Sequence, residues 1–274
     1  MVTSRPLGDS PGRSYAAKLE RFARFAEPEL KKIFADLEVP RGSVALDLGC
    51  GTGLASAWLE ESIGNGALVV GVDLSLPHLR AARAHHGTLV QGDAGRLGIR
   101  DAALDFIWTC NTMNHLADPV TVLAQLRTML RGDGVLAVAQ SGFLPEMFFA
   151  WDARLDEAVR GACHRYYLER YGLDVTHTAG LRNLLGQLRE AGFRRLAAHT
   201  YVIERTQPLS GPDREYFQYA IFEGAWGDKI YPYLEHADVA RLRRNCDPAS
   251  SEYCLDREDF HHVQTLTVCV GKVV

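Results

Sequence analysis

Residues 44–53 read Val-Ala-Leu-Asp-Leu-Gly-Cys-Gly-Thr-Gly, a short apolar run that empties into a glycine-rich turn. A second apolar stretch, Leu54–Ser62, follows at once with the length of a helix. Glycines between a strand and a helix give the backbone conformations closed to other residues and let the main chain come close to a ligand. Spacing narrows which ligand. A dinucleotide fingerprint, G-x-G-x-x-G, begun at Gly49 needs glycine at position 54, where Leu54 stands. The pattern here is G-x-G-x-G, with Asp47 two residues before the first glycine.

Working outward, short apolar runs alternate with helical ones. Val44–Leu48, Val69–Asp73, Thr88–Gln91, Leu104–Thr109 and Val135–Gln140 have strand length, and Leu76–His85 and Pro119–Leu130 have helical spacing. Ser75 and Asp118 are placed as N-caps, and Gly132 as a C-terminal stop. Strand–helix alternation at this interval predicts a mostly parallel sheet with helices on both faces. Upstream, Leu19, Phe22, Ala26, Leu30, Ile33, Phe34 and Leu37 recur at helical spacing, and Pro28 divides that stretch in two. Downstream, a helix over Ala179–Ala191, a strand over Phe193–Glu204 and a final strand over Val263–Val270 complete a seven-stranded sheet.

The loop and its companions resemble the first motif of class I S-adenosylmethionine (SAM)-dependent methyltransferases, over about residues 40–141. The second strand ends in Val-Gly-Val-Asp73, the third leads to Gln91-Gly92-Asp93-Ala94, and the fourth continues into Asn111-Thr112-Met113-Asn114-His115-Leu116-Ala117-Asp118-Pro119. Leu130-Arg131-Gly132-Asp133-Gly134 is similar to the family's approach to strand five. The resemblance implies a Rossmann-like α/β fold and SAM as cofactor. It implies that Asp73 holds the ribose hydroxyls, that Asp93 and the Ala94 N–H meet the adenine, and that the segment after strand four lies at the methionine end. The cofactor-binding set it implies is Asp47, Gly49, Cys50, Gly51, Thr52 and Gly53 of the loop, Asp73 with Leu74, Asp93 with Ala94, Asn111, and Tyr15 from the N-terminal side. Cys50 sits where the family carries a small residue, which argues against thiol chemistry there.

The activated methyl of SAM needs chiefly alignment, so no fixed catalytic constellation is demanded. His115, beyond the fourth strand, and His164, beside Tyr166 and Tyr167, are the two candidates for a general base. For each, a structural role stands open beside the catalytic one.

Two stretches interrupt the alternation. Fifteen of the 25 aromatic residues fall within 143–171 and 208–258, about twice an even share of the chain. They predict either aromatic walls for an apolar or aromatic small-molecule substrate, or the insertions' own small cores. The expected organisation is one domain: an N-terminal leader and cap helices (1–40), a SAM-binding core (41–141), a first lid insertion (142–178), a core helix and strand (179–206), a second helical insertion (207–259) and a last strand (260–274).

A net charge of −4 and the lack of a Lys/Arg block argue against nucleic acid as partner. The leader, residues 1–14, lacks the apolar core of a signal peptide, and no later run reaches transmembrane length. Six cysteines without a C-x-x-C pair predict reduced thiols in the cytoplasm and no metal site. Basic residues are skewed to arginine, 25 against five lysines, as in a GC-rich bacterial genome.

These readings converge on a cytoplasmic bacterial methyltransferase acting on oxygen or nitrogen of a small molecule, in specialised metabolism. Two alternatives keep the cofactor without methyl transfer: a cyclase or rearrangement catalyst, and a non-enzymatic SAM-binding partner.

Overall fold

Val44–Leu48 forms strand β1, buried on both faces, Asp47 included. It pairs in parallel with β2 (Leu68–Asp73) on one side and β4 (Leu104–Cys110) on the other. The computed structural model describes residues 15–142, 147–149, 151–171 and 182–274. The leader 1–14, Phe143 and the start of the helix expected from Ala179 lie outside the described residues, as does the Tyr171 side chain.

The sheet runs β3 (Leu89–Gln91), β2, β1, β4, β5 (Leu130–Ser141) and β8 (His261–Lys272), with β1–β5 parallel and β8 antiparallel to β5. Strand β8 then carries β6 (Met147–Phe148) and β7 (Arg194–Thr206), both antiparallel to it. The described sheet therefore has eight strands rather than seven. The addition is the two-residue β6. Strand β5 ends at Ser141 opposite Leu266, which leaves the first residues of β8 unpaired on that side, and Met147 and Phe148 take up this edge.

The two N-terminal helices, α1 (Ala16–Phe25) and α2 (Glu27–Asp36), part at Ala26, with Pro28 in the first turn of α2. Helices α3 (Leu54–Ile63) and α4 (Leu76–Ala82) follow β1 and β2. Ser75 and Asp118 cap their helices as expected, through Ser75 Oγ to the His78 N–H and Asp118 Oδ1 to the Thr121 N–H. Gly132 is not a helix stop. Helix α5 (Pro119–Met129) passes directly into β5 because Leu130 already pairs with Leu104, so Gly132 lies within the strand.

One face of the sheet packs against α5 and α7 (Leu184–Glu190), with Leu46, Ile107 and Leu136 meeting Leu123, Leu126 and Leu188. The other carries α1–α3 and both insertions in one apolar cluster, where Phe34 meets Trp108 edge-on at 4.9 Å. The first insertion supplies β6 and α6 (Ala153–Tyr171). The second supplies α8 (Gly211–Glu215), a π-helical turn (Tyr216–Phe222) and α9 (His236–Cys246).

The aromatic clustering has its cause in this layer. Phe148, Trp151, Tyr216, Phe217, Phe222, Trp226 and Tyr253 are buried in it. Phe148 stacks on Trp151 at 4.7 Å, Phe222 on Trp226 at 5.5 Å, and Tyr216 on Phe25 of α1 at 4.0 Å. Each such pair contributes about 0.5–1.5 kcal/mol beyond the area it buries. These seven rings form the insertions' own core, fused to that of the sheet. His262 lies among them, 4.5 Å from the Phe148 ring, and burial pushes its pKa down to about 3, which keeps it neutral.

One charged residue ties the layer together. Arg205 of β7 donates from Nε to Asp213 of α8 at 2.8 Å, and from Nη1 and Nη2 to the two Glu29 oxygens of α2 at 2.8 and 2.9 Å. Nη2 also reaches the Phe25 carbonyl, and the guanidinium lies 4.7 Å over the Phe25 ring. Arg205→Met leaves both largely buried carboxylates without their cation and is expected to cost about 3–5 kcal/mol in urea unfolding. The triple variant with Glu29→Gln and Asp213→Asn should recover most of that loss. A single variant as stable as the parent would show the clamp to be dispensable.

Candidate functional site

The turn after β1 is held at its base by β2. The Gly49 and Cys50 N–H groups both donate to the Val72 carbonyl, at 2.7 and 3.0 Å, and Gly53 N–H donates to Cys50 O at 2.9 Å. Gly49 takes φ +76° and Gly51 φ +54°, the left-handed region that glycine enters without strain. At Gly49 the close approach is made by the protein itself: an added Cβ would stand 2.1 Å from Thr112 Oγ1. That hydroxyl lies over the turn, donating to the carbonyls of Leu48 and Cys110 at 3.3 and 3.1 Å.

Asp73, at the carboxyl end of β2, meets the tip of this turn. Its Oδ2 accepts from the Gly51 N–H at 2.9 Å, and its Oδ1 from the Ser75 N–H at 2.8 Å and from His78 Nδ1 at 3.3 Å. Leu74 beside it is 40% exposed, an apolar surface of the kind a flat ring packs on. Across the β2–β3 pairing, Asp73 faces Gln91, and the Gly92 N–H donates to the Asp73 carbonyl at 3.1 Å. This brings Asp93 and Ala94 to the same rim. Asp93 is exposed, with Oδ1 accepting from the Gly95 N–H at 2.9 Å.

On the other side of β1, Asn111 follows the end of β4 with φ +53°. Its Oδ1 accepts from Gln140 Nε2 at 2.9 Å, Ser141 N–H at 2.8 Å and Ser141 Oγ at 3.0 Å, which ties the ends of β4 and β5. With that oxygen committed, the amide nitrogen is what Asn111 has to offer a ligand. Asn114 Oδ1, in the 3₁₀ turn that follows (Met113–His115), is buried without a hydrogen-bond partner among the described residues. Such an acceptor is open to a donor from outside the described residues. His115 closes the same turn and is half-buried, on the strand-end rim. His164 lies elsewhere, exposed along α6, a helix that packs on α9 and on Tyr231–Tyr233 of the second insertion. Tyr15, at the start of α1, reaches the rim through its backbone, donating its N–H to His78 Nε2 at 3.1 Å.

Asp47 and Thr52 lie beneath the turn rather than at its surface, 2% and 3% exposed. Asp47 Oδ2 accepts from Ser56 Oγ of α3 at 2.5 Å. Burial, only partly offset by that bond, pushes the Asp47 pKa up to about 7, with the charge of Asp73 adding to the rise. Burial and the same two carboxylates push the Cys50 thiol far above its ordinary range, so it is no nucleophile. Thr112 lies in the segment after strand four with no role of its own assigned there, and Ser56 and His78 belong to the site and carry no motif that marks them. Ser56 stands in an apolar helical run, and His78 follows a capping serine by three residues.

The rim therefore offers a glycine turn, a carboxylate at the next strand end, an apolar surface with a further carboxylate beyond it, and amide groups two strands away. An adenosine joined to an amino acid has this sequence of needs, and the orphaned Asn114 oxygen fits a donor at its amino-acid end. Residues 46–138 match the family model of the methyltransferase domain. That match coincides with the stretch that resembles class I SAM-dependent methyltransferases.

Among curated proteins, a malonyl-[acyl-carrier protein] O-methyltransferase from Pseudescherichia vulneris is 31% identical over 157 residues, 56% of this chain and 61% of that protein. Methyltransferase GfsG from Streptomyces halstedii is 30% identical over 131 residues, 45% of this chain and 46% of that one. The chain thus spans about half to three fifths of these relatives. A SAM-dependent methyltransferase from Thermotoga maritima superposes with a TM-score of 0.52 at 14% identity, covering 95% of this chain and 96% of that chain. At that identity the likeness is one of fold.

The Asp47 shift sets a pH dependence. Its folded pKa of about 7 lies above the unfolded value of 3.8, so the native state holds the proton more tightly. Its contribution is full below pH 4 and is lost as pH rises through 7, by roughly 4 kcal/mol in total. Asp47→Asn removes this titration, so its stability relative to the parent should rise between pH 5 and pH 8. Parallel pH–stability curves for the two proteins in urea unfolding would refute it.

Proposed function

We propose that this chain is an enzyme that binds SAM across the ends of β1, β2, β3 and β4 and transfers its methyl group to oxygen or nitrogen of a small molecule. The observation that carries this reading is the bond from the Gly51 N–H to Asp73. It fixes a glycine turn and a carboxylate side by side at strand ends, where open α/β sheets bind their ligands. The curated O-methyltransferase relative supports an oxygen acceptor.

When bound, the cofactor supplies a methyl group already activated by its sulfonium. The residues of the chain then bind, align and shield. Asp73 accepts from a ribose hydroxyl with its remaining acceptor position, Leu74 packs on the adenine, and Asp93 and the Ala94 N–H read the edge of the ring. Asn111 and Asn114 face the amino-acid end, as donor and acceptor respectively. Holding the acceptor in line with the methyl group is worth on the order of 7–11 kcal/mol where alignment is good. His115, in the turn beyond β4, takes a proton from the acceptor hydroxyl or amine in this reading. The two insertions, cemented by their shared aromatic core, cover one side of the sheet and keep water from it.

Asp73→Ala is expected to weaken SAM binding ten- to a hundredfold in calorimetry, the worth of the charge-assisted bonds removed. His115→Ala should lower kcat at unchanged SAM affinity. Full-strength SAM binding by Asp73→Ala would overturn the site assignment. Turnover without release of S-adenosylhomocysteine would overturn methyl transfer and favour a rearrangement.

A further inference from the structure

His78 is 3% exposed, in the first turn of α4, and its two ring nitrogens join residues far apart in the chain. Nε2 accepts the Tyr15 backbone N–H at 3.1 Å, and Nδ1 stands 3.3 Å from Asp73 Oδ1. A nitrogen that accepts an N–H carries no proton. The neutral ring therefore bears its proton on Nδ1, and that proton points at the carboxylate. The Tyr15 amide thus chooses the tautomer, and the tautomer supplies a donor to Asp73. A carboxylate has about four acceptor positions. Gly51, Ser75 and His78 take three of them, which fixes the plane of the group and the direction of what remains.

Helix α1 touches the same site a second time. Leu19 Cδ1 lies 3.2 Å from where a Gly51 Cβ would stand, and the Leu19 N–H donates to the Tyr15 carbonyl at 3.0 Å. The first turn of α1 is thereby seated on the glycine turn through Leu19 and on α4 through Tyr15.

We propose that His78 is a positioning residue that couples the seating of α1 to the cofactor-binding carboxylate. The Tyr15 amide sets the imidazole tautomer, the imidazole orients Asp73, and cofactor affinity depends on all three. The coupling rests on the proposed role of Asp73 as the ribose-binding group.

Two substitutions at one position separate amide from phenol. Tyr15→Ala removes the ring and keeps the N–H, whereas Tyr15→Pro removes both, at a helix start where proline is tolerated. Two-bond ¹H–¹⁵N correlation spectra of the full chain, with His78 assigned by its loss in His78→Gln, read the tautomer directly. The parent and Tyr15→Ala should show the Nδ1–H form, and Tyr15→Pro should shift toward Nε2–H. In calorimetry with SAM, Tyr15→Pro should bind about tenfold more weakly than Tyr15→Ala, and His78→Leu at least as weakly as Tyr15→Pro. Hydrogen exchange over residues 16–25 should rise in both Tyr15→Pro and His78→Leu. An Nε2–H tautomer in the parent would overturn the proposal, as would equal SAM affinity in the two Tyr15 variants or unchanged affinity in His78→Leu. Because the tautomer is read without cofactor, the two readings fail separately: a parent that does not bind SAM defeats the proposed function, and the wrong tautomer defeats the role of His78.

Discussion

The bond from the Gly51 N–H to Asp73 joins the two halves of the site, and most of the surrounding geometry follows from keeping it. Gly49 and Gly51 must enter left-handed conformations for the turn to reach Asp73, and Thr112 closes over the turn from β4 because Gly49 has no side chain to oppose it. The Val72 carbonyl takes two amides of the same turn, so the ends of β1 and β2 move as one piece. A rim built in this way spends its flexibility before a ligand arrives, which is the condition for tight binding of a small, charged molecule.

The insertions solve a different problem. Both fall on one face of the sheet and share one apolar cluster with it. Their aromatic residues pack on one another and on Phe25 of α1, and so borrow the core of the sheet. Arg205 adds direction to that packing, since ring contacts tolerate sliding and a guanidinium gripped by Glu29 and Asp213 does not. The N-terminal helices thus have two attachments of unlike chemistry. One is apolar and ionic toward the insertions, and the other runs through Tyr15 and Leu19 to the cofactor rim.

The elements of the sheet were legible wherever apolar runs were bounded by capping residues, as at Ser75 and Asp118. Gly132 misled, because a glycine after a helix marks a stop only when the chain leaves the helix there. Here Leu130 had already entered a strand. Strand β6 could not be read from Met147-Phe148, since two residues carry no period and the edge they fill belongs to β8. The concentration of aromatic residues was visible, but concentration is the same whether rings line a cavity or pack on each other. Their mutual distances decide it for the seven that are buried.

By itself, then, the sequence determined the order of strands and helices, the G-x-G-x-G turn and the acids at the next two strand ends. Each of these is local: glycine is the residue that enters the left-handed region at no cost, and a strand end is marked where its apolar run stops. Tertiary structure decided what each acid does. Asp47 and Asp73 read alike as strand-end carboxylates, yet burial beneath the turn holds a proton on one up to about pH 7, while the Gly51 N–H from the neighbouring turn, with Ser75 and His78 just downstream, orients the other. The bonds from Gly51 to Asp73 and from Tyr15 to His78 span 22 and 63 residues, and no local pattern records them.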